Sequence, residues 1–395
     1  MKKLPLLLVA CAVLGWSGCS TGTAVRQAAQ PGQTSFSAPL VTVPAQLFGN
    51  HLVVEAKWDR TGPYRFLVDT GSSVTLVTPA LARRYPGREL PPAFAEPVRV
   101  RGADGTVVEL PRATLRRLEL GGVRFADLDV VLHDCAALSA HFGVKIDGVL
   151  GFPLFREALL TLDYPGSRVV LQPARTAPTL PGTVIPFDDA RKTPLITLKV
   201  GERSLIALID SGSDAAFSLN PVGFSPRFAA GPVTGATVGH LAGERTQRIG
   251  RLAEAITVGE YRFAEPVVDL TEELAAIGGG ALRHFAVSFD QVRDRVTFFR
   301  DSRAPITAAP VRSAGVSFSK TPAYWRVAGV VPGSPAAAVG VERGDLVIRI
   351  AGEPVAKWDL RRYEQLVASA DEITLTFLQG TVEMEKRVRV FALLP

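Results

Sequence analysis

The chain has 395 residues, 47% hydrophobic and 21% charged, with a formal net charge of +6. That is long enough for two or three domains with proper cores, and it excludes a disordered or fibrous protein. Its basic residues stand singly or in pairs such as Arg83-Arg84, Arg116-Arg117 and Arg361-Arg362, without the dense stripe or motif that nucleic acid needs, so no nucleic-acid partner is expected.

The N-terminus, MKKLPLLLVACAVLGWSGCS, sets two lysines before an apolar stretch from Leu4 to Gly15 and then small residues. The stretch is short for a membrane span, and its basic start and small-residue end read as a signal peptide over 1–18. Removing it takes away Lys2 and Lys3 and leaves about +4. Ser17-Gly18-Cys19 resembles the end of a bacterial lipobox, in which the leader is cut before a Cys that is then lipidated, so Cys19 is the lipidation candidate. Trp16 stands where such motifs usually have Leu, and Leu8-Val9-Ala10-Cys11 fits the local pattern better but has too short an apolar region before it. Ordinary signal cleavage with Cys19 as an incidental thiol is the other reading. Residues 19–40, rich in Ser, Thr, Gln, Gly and Ala, are expected to be a flexible tether. The expected location is the bacterial cell envelope, on the periplasmic side, with the lipid as the only membrane contact.

Leu52 to Trp58 alternates as a β-strand does, and the next run, FLVDTGSSVTLV, ends an apolar strand on a carboxylate, Asp69. A buried carboxylate is costly unless hydrogen bonds surround it. Gly71 removes a Cβ so that backbone N–H groups can approach, Thr70 can brace the turn, and Ser72 can donate to the carboxylate. Pro79 to Tyr85 is a brief helical patch. Cys135 sits between His133 and His141, but one Cys and two His without further ligands read as a core or loop thiol, so no metal is expected. With Cys11 and Cys19 as the only other cysteines, no intrachain disulfide framework is available.

After a Pro/Ala/Thr linker from Pro173 to Pro181 the chain repeats itself. PYRFLVDTGSSVTLVTP returns as ERSLIALIDSGSDAAFSLNP, preceded by the strand-like Leu195 to Val200. Leu118 to Asp127 lines up with Ile256 to Glu265, and Phe155 to Asp163 with Leu282 to Asp290. Both copies are short apolar or alternating runs cut by Gly, Pro and Asp turns, which predicts mainly antiparallel β-structure in two lobes, 41–174 and 183–302. If the lobes pack about a pseudo-twofold axis, Asp69 meets Asp210, the latter followed by Ser211, Gly212 and Ser213. Two carboxylates about 3 Å apart cannot both ionise easily, so one proton is shared. Asp214, one residue further on, reads as a solvated or turn-capping acid, and His240 as an exposed hairpin residue.

At these residues the chain resembles an aspartic peptidase of the pepsin and retropepsin superfamily, in the single-chain form with a duplicated lobe. The resemblance covers roughly residues 41 to 302. It implies a bilobal fold of two retropepsin-like β-barrel lobes, Asp69 and Asp210 as catalytic dyad, and Thr70, Gly71, Ser72, Ser211, Gly212 and Ser213 as its supports. The family's apolar-apolar-Gly element falls on Val149-Leu150-Gly151 and Ala276-Ile277-Gly278. Its flap, a hairpin that closes over substrate, falls on Val100 to Val108 with Gly102 and Gly105. The counterpart in the second lobe is Val238 to Arg245, with Gly239 and Gly243. Water is the nucleophile, so no metal or organic cofactor is implied.

A second linker, Asp301 to Val311, leads to residues 311–395, which resemble a PDZ domain of the bacterial exported-protease kind, a small β-barrel with short helices. The marks are Trp325 to Ala336 with Pro332-Gly-Ser-Pro335, a Gly344-Asp345 turn, Leu346 to Ile350, and a helical run from Asp359 to Ser369. A peptide would add as a strand, with backbone groups of Gly315, Val316, Ser317 and Phe318 receiving a C-terminal carboxylate. Arg343-Gly344-Asp345 is explained by the turn rather than by adhesion.

The resulting expectation is an exported aspartic endopeptidase, acting on protein or peptide substrates and recruiting them, C-terminal tails included, through its PDZ domain. Its activity should favour acidic to mildly acidic pH. Two rivals stand beside it: a peptide-binding envelope lipoprotein without catalysis, and an envelope scaffold that binds only through the PDZ domain.

Overall fold

The computed structural model describes residues 33–89, 96–102, 105–240 and 243–395. The leader, Cys11 and Cys19 lie outside the described residues. Among the described residues no helix is long and apolar enough to cross a membrane.

Each repeat folds around the strand that ends in its aspartate. Strand Thr61–Asp69 buries Phe66, Leu67 and Val68 and runs parallel to Gly148–Gly151, with Val149 beside Leu67 and Gly151 beside Asp69. In the second repeat Arg203–Asp210 runs parallel to Ala275–Gly278, with Ala276 beside Leu208 and Gly278 beside Asp210. The two apolar-apolar-Gly elements therefore occupy matching registers. Each is flanked on its other edge by a short antiparallel strand, Leu76–Val77 in one lobe and Phe217–Leu219 in the other. The duplication extends to backbone detail. Gly121 and Gly259 make the same left-handed hairpin turn at φ +58° and +57°, and Asp127 and Glu265 both sit at positive φ, +50° and +45°. Only an aligned pair of turns would place non-glycine residues in that disfavoured region at the same offset.

The lobes join through six strands in the order Val41–Phe48, Arg168–Pro173, Ala158–Asp163, Ala286–Asp290, Arg295–Phe299, Thr183–Pro186. The central pair is antiparallel, and Thr161 faces Ser288 across it with their hydroxyls 2.7 Å apart, so the pseudo-twofold axis passes there. A continuous hydrophobic core runs from Trp58 and Phe125 of the first lobe through Phe289 to Phe217 and Tyr261 of the second.

One expected boundary shifts. Within the stretch read as tether, Thr34–Phe36 is a strand paired antiparallel to Val123–Leu132, and Phe36 packs on the core. A β-branched and an aromatic residue in three positions suffice to add an edge strand where apolar surface is waiting. The second linker likewise contributes Ile306–Thr307 alongside Tyr261–Ala264.

The C-terminal domain has its own core around Phe318, Trp325 and Tyr363, whose rings lie 5.4 to 5.7 Å apart. Its sheet runs Val316–Lys320, Trp325–Val330, Leu346–Ile350, Glu372–Gln379, Val382–Arg389. Helix Leu360–Ser369 starts on Asp359, whose carboxylate accepts from Arg362 N at 2.8 Å. This domain is seated on both lobes. The Lys320 ammonium donates to the carbonyl of His141, at the end of helix Ala136–Phe142, and Leu360 packs with Phe48, Phe142 and Ile146.

Candidate active site

The two aspartates meet at the lobe junction, half-buried at the floor of the cleft, with their carboxyls interacting directly. Asp69 Oδ1 accepts from Gly71 N at 2.8 Å and Ser72 N at 3.1 Å, and Asp210 Oδ1 accepts from Gly212 N at 2.9 Å. The hydroxyl residues between them cross over. Thr70 Oγ1 donates to Ile209 O at 2.7 Å and accepts from Ser211 N at 3.0 Å. Ser211 Oγ donates to Val68 O at 2.8 Å and accepts from Thr70 N at 3.0 Å. Four hydrogen bonds between two buried turns lock each aspartate against the other lobe. The glycines have a steric reason as well. A Cβ on Gly71 would stand 2.4 Å from Asp210 Oδ1, and one on Gly212 would stand 2.4 Å from Asp69 Cγ.

Ser72 departs from expectation. Its hydroxyl donates to Val74 O at 2.8 Å, so its service to Asp69 comes from the backbone N–H. Ser213 is matched to it: its backbone lowers the Asp210 pKa, and its Oγ lies over Gly278, where a Cβ would be 3.0 Å away. The turn geometry aims the amides, not the hydroxyls, at the carboxylates.

Burial is the largest influence on both acids and raises both. Asp69 is pushed well above the usual carboxylate range, by desolvation first and then by the charge and hydrogen bond of Asp210. Asp210 is raised by desolvation, against which the Gly212 amide, the Asp69 hydrogen bond and the nearby His51 pull down. The pair thus tends to hold one shared proton, the second carboxyl ionising only with difficulty beside the first.

Above the dyad lies a cleft of about 410 Å³. Both walls are mixed: the first lobe contributes Leu67, Leu76 and Val149 beside Arg101 and Asp134, and the second Leu208 and Val238 beside Arg245 and Asp269. The hairpin Val98–Arg101 and Val107–Leu110 covers one side; Gly102 N donates to Thr106 O at 2.8 Å and Gly105 takes φ +79° at its tip. Arg101 reaches across to Glu273 of the other lobe at 3.0 Å, closing this hairpin over the cleft. The second hairpin, Phe228–His240 and Gly243–Leu252, brings Val238, Arg245 and Gln247 to the cleft. Gly239 pairs with Glu244 and His240 with Gly243 near its tip; the His240 side chain lies outside the described residues. This hairpin is tied to the C-terminal domain: Thr237 N donates to Ser317 Oγ at 2.9 Å, and Glu244 pairs with Arg343 at 3.0 Å.

That tie bears on the peptide-binding candidates. Ser317's hydroxyl is engaged by the second hairpin, Val316 and Phe318 are buried in the domain core, and Gly315 N donates to Ser313 Oγ at 2.8 Å. At the far end of strand Val316–Lys320, Gly143 lies against Lys320 and Asp359. Cys135 lines the cleft as a free, buried thiol whose pKa burial pushes up to about 12, which leaves it inert. Among the described residues no cluster suited to a metal ion occurs.

Sequence reasoning missed the clasp beside the dyad. Asp214, read as solvated or turn-capping, accepts from Asn50 N at 2.8 Å, and its carbonyl accepts from Asn50 Nδ2 at 2.9 Å. His51 lies against Gly212 in the same place. Gly49-Asn50-His51 is an ordinary hairpin turn in the sequence, and nothing local marks it as the partner of a loop some 160 residues away. No curated protein matches the chain. Residues 54–154, in the first lobe, match the family model described as aspartyl protease, and residues 326–379 the one described as PDZ domain.

Proposed function

We propose that the protein is an aspartic endopeptidase of the bacterial cell envelope, in which Asp69 and Asp210 activate a water and the PDZ domain presents protein or peptide substrates. The observation that carries this reading is the pair of facing carboxyls at the floor of a covered cleft, each held by the backbone amides of its own turn and each with its pKa raised. One carboxylate takes a proton from water as the oxygen bonds to the scissile carbonyl carbon, while the protonated partner gives its proton to the carbonyl oxygen. Collapse of the resulting diol breaks the C–N bond, with the proton passing to the leaving nitrogen. No cofactor is required. The leader and Cys19 support export and lipid anchoring.

The test is digestion of an unbiased peptide mixture at pH 3 to 8 by the chain from Ser20 onward, beside Asp69→Asn and Asp210→Asn. We expect cleavage strongest at acidic to mildly acidic pH and lower in either variant by on the order of 10²–10⁴-fold or more. Binding without cleavage, unchanged by either substitution, would make this a peptide-binding envelope protein.

A further inference from the structure

One buried imidazole beside the dyad remains to be assigned. His51 is 5% exposed and opens strand His51–Trp58, at the turn that clasps the second aspartate loop. Its Nδ1 lies 3.2 Å from Phe48 O, and its Nε2 lies 3.1 Å from Gly212 O. Both partners are carbonyl oxygens, which only accept. A neutral ring has one N–H and would set a lone pair against the second oxygen; a ring protonated on both nitrogens satisfies both. Gly212 is also the residue whose N–H holds Asp210 Oδ1.

The other lobe has no such group. Val53 pairs with Leu67 and Leu195 with Leu208, each two residues before its aspartate, so the place of His51 falls to Thr193. The surroundings on every side are defined. From the second lobe, Asp214 Oδ1 is 3.8 Å from Nδ1, and Arg283 donates to Asn50 Oδ1 at 3.1 Å. From the PDZ helix, Glu364 approaches Gly49. From helix Ala136–Phe142, His141 packs 6.3 Å away, kept neutral because burial, Lys320 and His51 bring its pKa down to about 3. The facing acids are Asp210, Asp214 and Glu364, and the facing cations are Lys320 and Arg283.

Resting on the peptidase reading above, we propose that His51 is a positioning residue held as an imidazolium, which fixes the Gly212 peptide and makes Asp210 the ionised member of the dyad and Asp69 the proton carrier. Asp210 is then the acceptor of the water proton, and Asp69 the donor to the carbonyl oxygen. The opposing pulls on the two acids agree with this: His51 lowers Asp210, and Asp210 raises Asp69.

The first experiment is a long-range ¹H–¹⁵N spectrum of the histidine-labelled chain from Ser20 between pH 5 and 7, with His51 assigned by its absence in His51→Gln. Imidazolium signals from both ring nitrogens are expected; a neutral tautomer overturns the proposal. In His51→Gln the acid limb of kcat/KM should move up by about one pH unit, with KM within about twofold, because a positive charge beside Asp210 has been removed. An unmoved limb with kcat lowered at every pH marks a merely structural residue. If the wild type cleaves nothing, ¹³C carboxyl titration decides instead: the lower dyad step moves up in His51→Gln if the proposal holds and stays in place if it does not. Should His51→Gln fail to fold, the wild-type ring spectrum remains decisive, with the two imidazole rings on Phe142 told apart by the loss of one in His141→Gln.

Discussion

Gly71 and Gly212 each leave room for the opposite aspartate, and the consequence is testable at single-atom scale. A methyl on Gly71 would overlap Asp210 Oδ1 at 2.4 Å, so Gly71→Ala is expected to force the carboxyls apart, abolish cleavage and lower stability by about 1–3 kcal/mol, read by activity and chemical denaturation. Asp69→Asn tests burial. Because the native pKa of Asp69 is raised, the native state holds more protons than the unfolded chain between the ordinary carboxylate value and the raised one. That stabilisation is complete below the ordinary value and is lost as pH rises through the raised one. The Tm of Asp69→Asn should therefore gain on the wild type from pH 4 to pH 8; a constant difference would contradict a raised Asp69. Of these details, the Asp-Thr-Gly and Asp-Ser-Gly triplets were legible in the sequence, because a charged residue closing an apolar strand needs an explanation. The direction of the Ser72 hydroxyl was not, since Oγ rotation depends on where Val74 O falls.

Among the elements, the two cleft hairpins differ in what holds them. The first is latched by Arg101 and Glu273, whose side chains are 63% and 30% exposed, so solvent screening keeps the pair weak. Glu273→Gln should change global stability by less than about 1 kcal/mol yet speed amide exchange in Val98–Leu110, and the difference should fade as salt rises. Equal exchange in both proteins would mean that the latch does not hold the hairpin. The second hairpin is anchored to the PDZ domain through Thr237 and Glu244. The tips of both hairpins were placed through the family resemblance, at Val100 to Val108 and Val238 to Arg245, but their full lengths and their different tethers were not. Glu244 and Arg343 are 99 residues apart, and a surface ion pair leaves no periodicity behind.

At the scale of the whole molecule, the sequence revealed the repeat because matched turns need matched residue types, as Gly121 and Gly259 do. It did not reveal how the PDZ domain is seated, because the seam is one buried lysine, a few apolar contacts and the ties of Ser317 and Arg343 to the second hairpin, none of which leaves a pattern along the chain. Burial brings the Lys320 pKa down to about 8. The native state then binds fewer protons than the unfolded chain between about 8 and 10.5, so the stability contributed by the neutral amine is present above the ordinary value and lost as pH falls through about 8. Relative to Lys320→Met, the wild type should gain stability as pH rises from 8 to 10.5, measured by thermal melts of the two proteins across that window. No change in the difference would place the ammonium in solvent.

The pairing of Thr161 with Ser288 has a consequence for synthesis. The first lobe leaves the ribosome before the second exists, and until Ala286–Asp290 is made, strand Ala158–Asp163 is a bare edge carrying Leu159, Leu160 and Leu162. Because its natural partner is a near copy related by a twofold, the edge is close to self-complementary: the same strand of a neighbouring nascent chain can dock on it, with Thr161 opposite Thr161. Lobe-swapped pairs are therefore the expected by-product of crowded synthesis, and slowing translation between the lobes should raise the dimer fraction in size-exclusion chromatography.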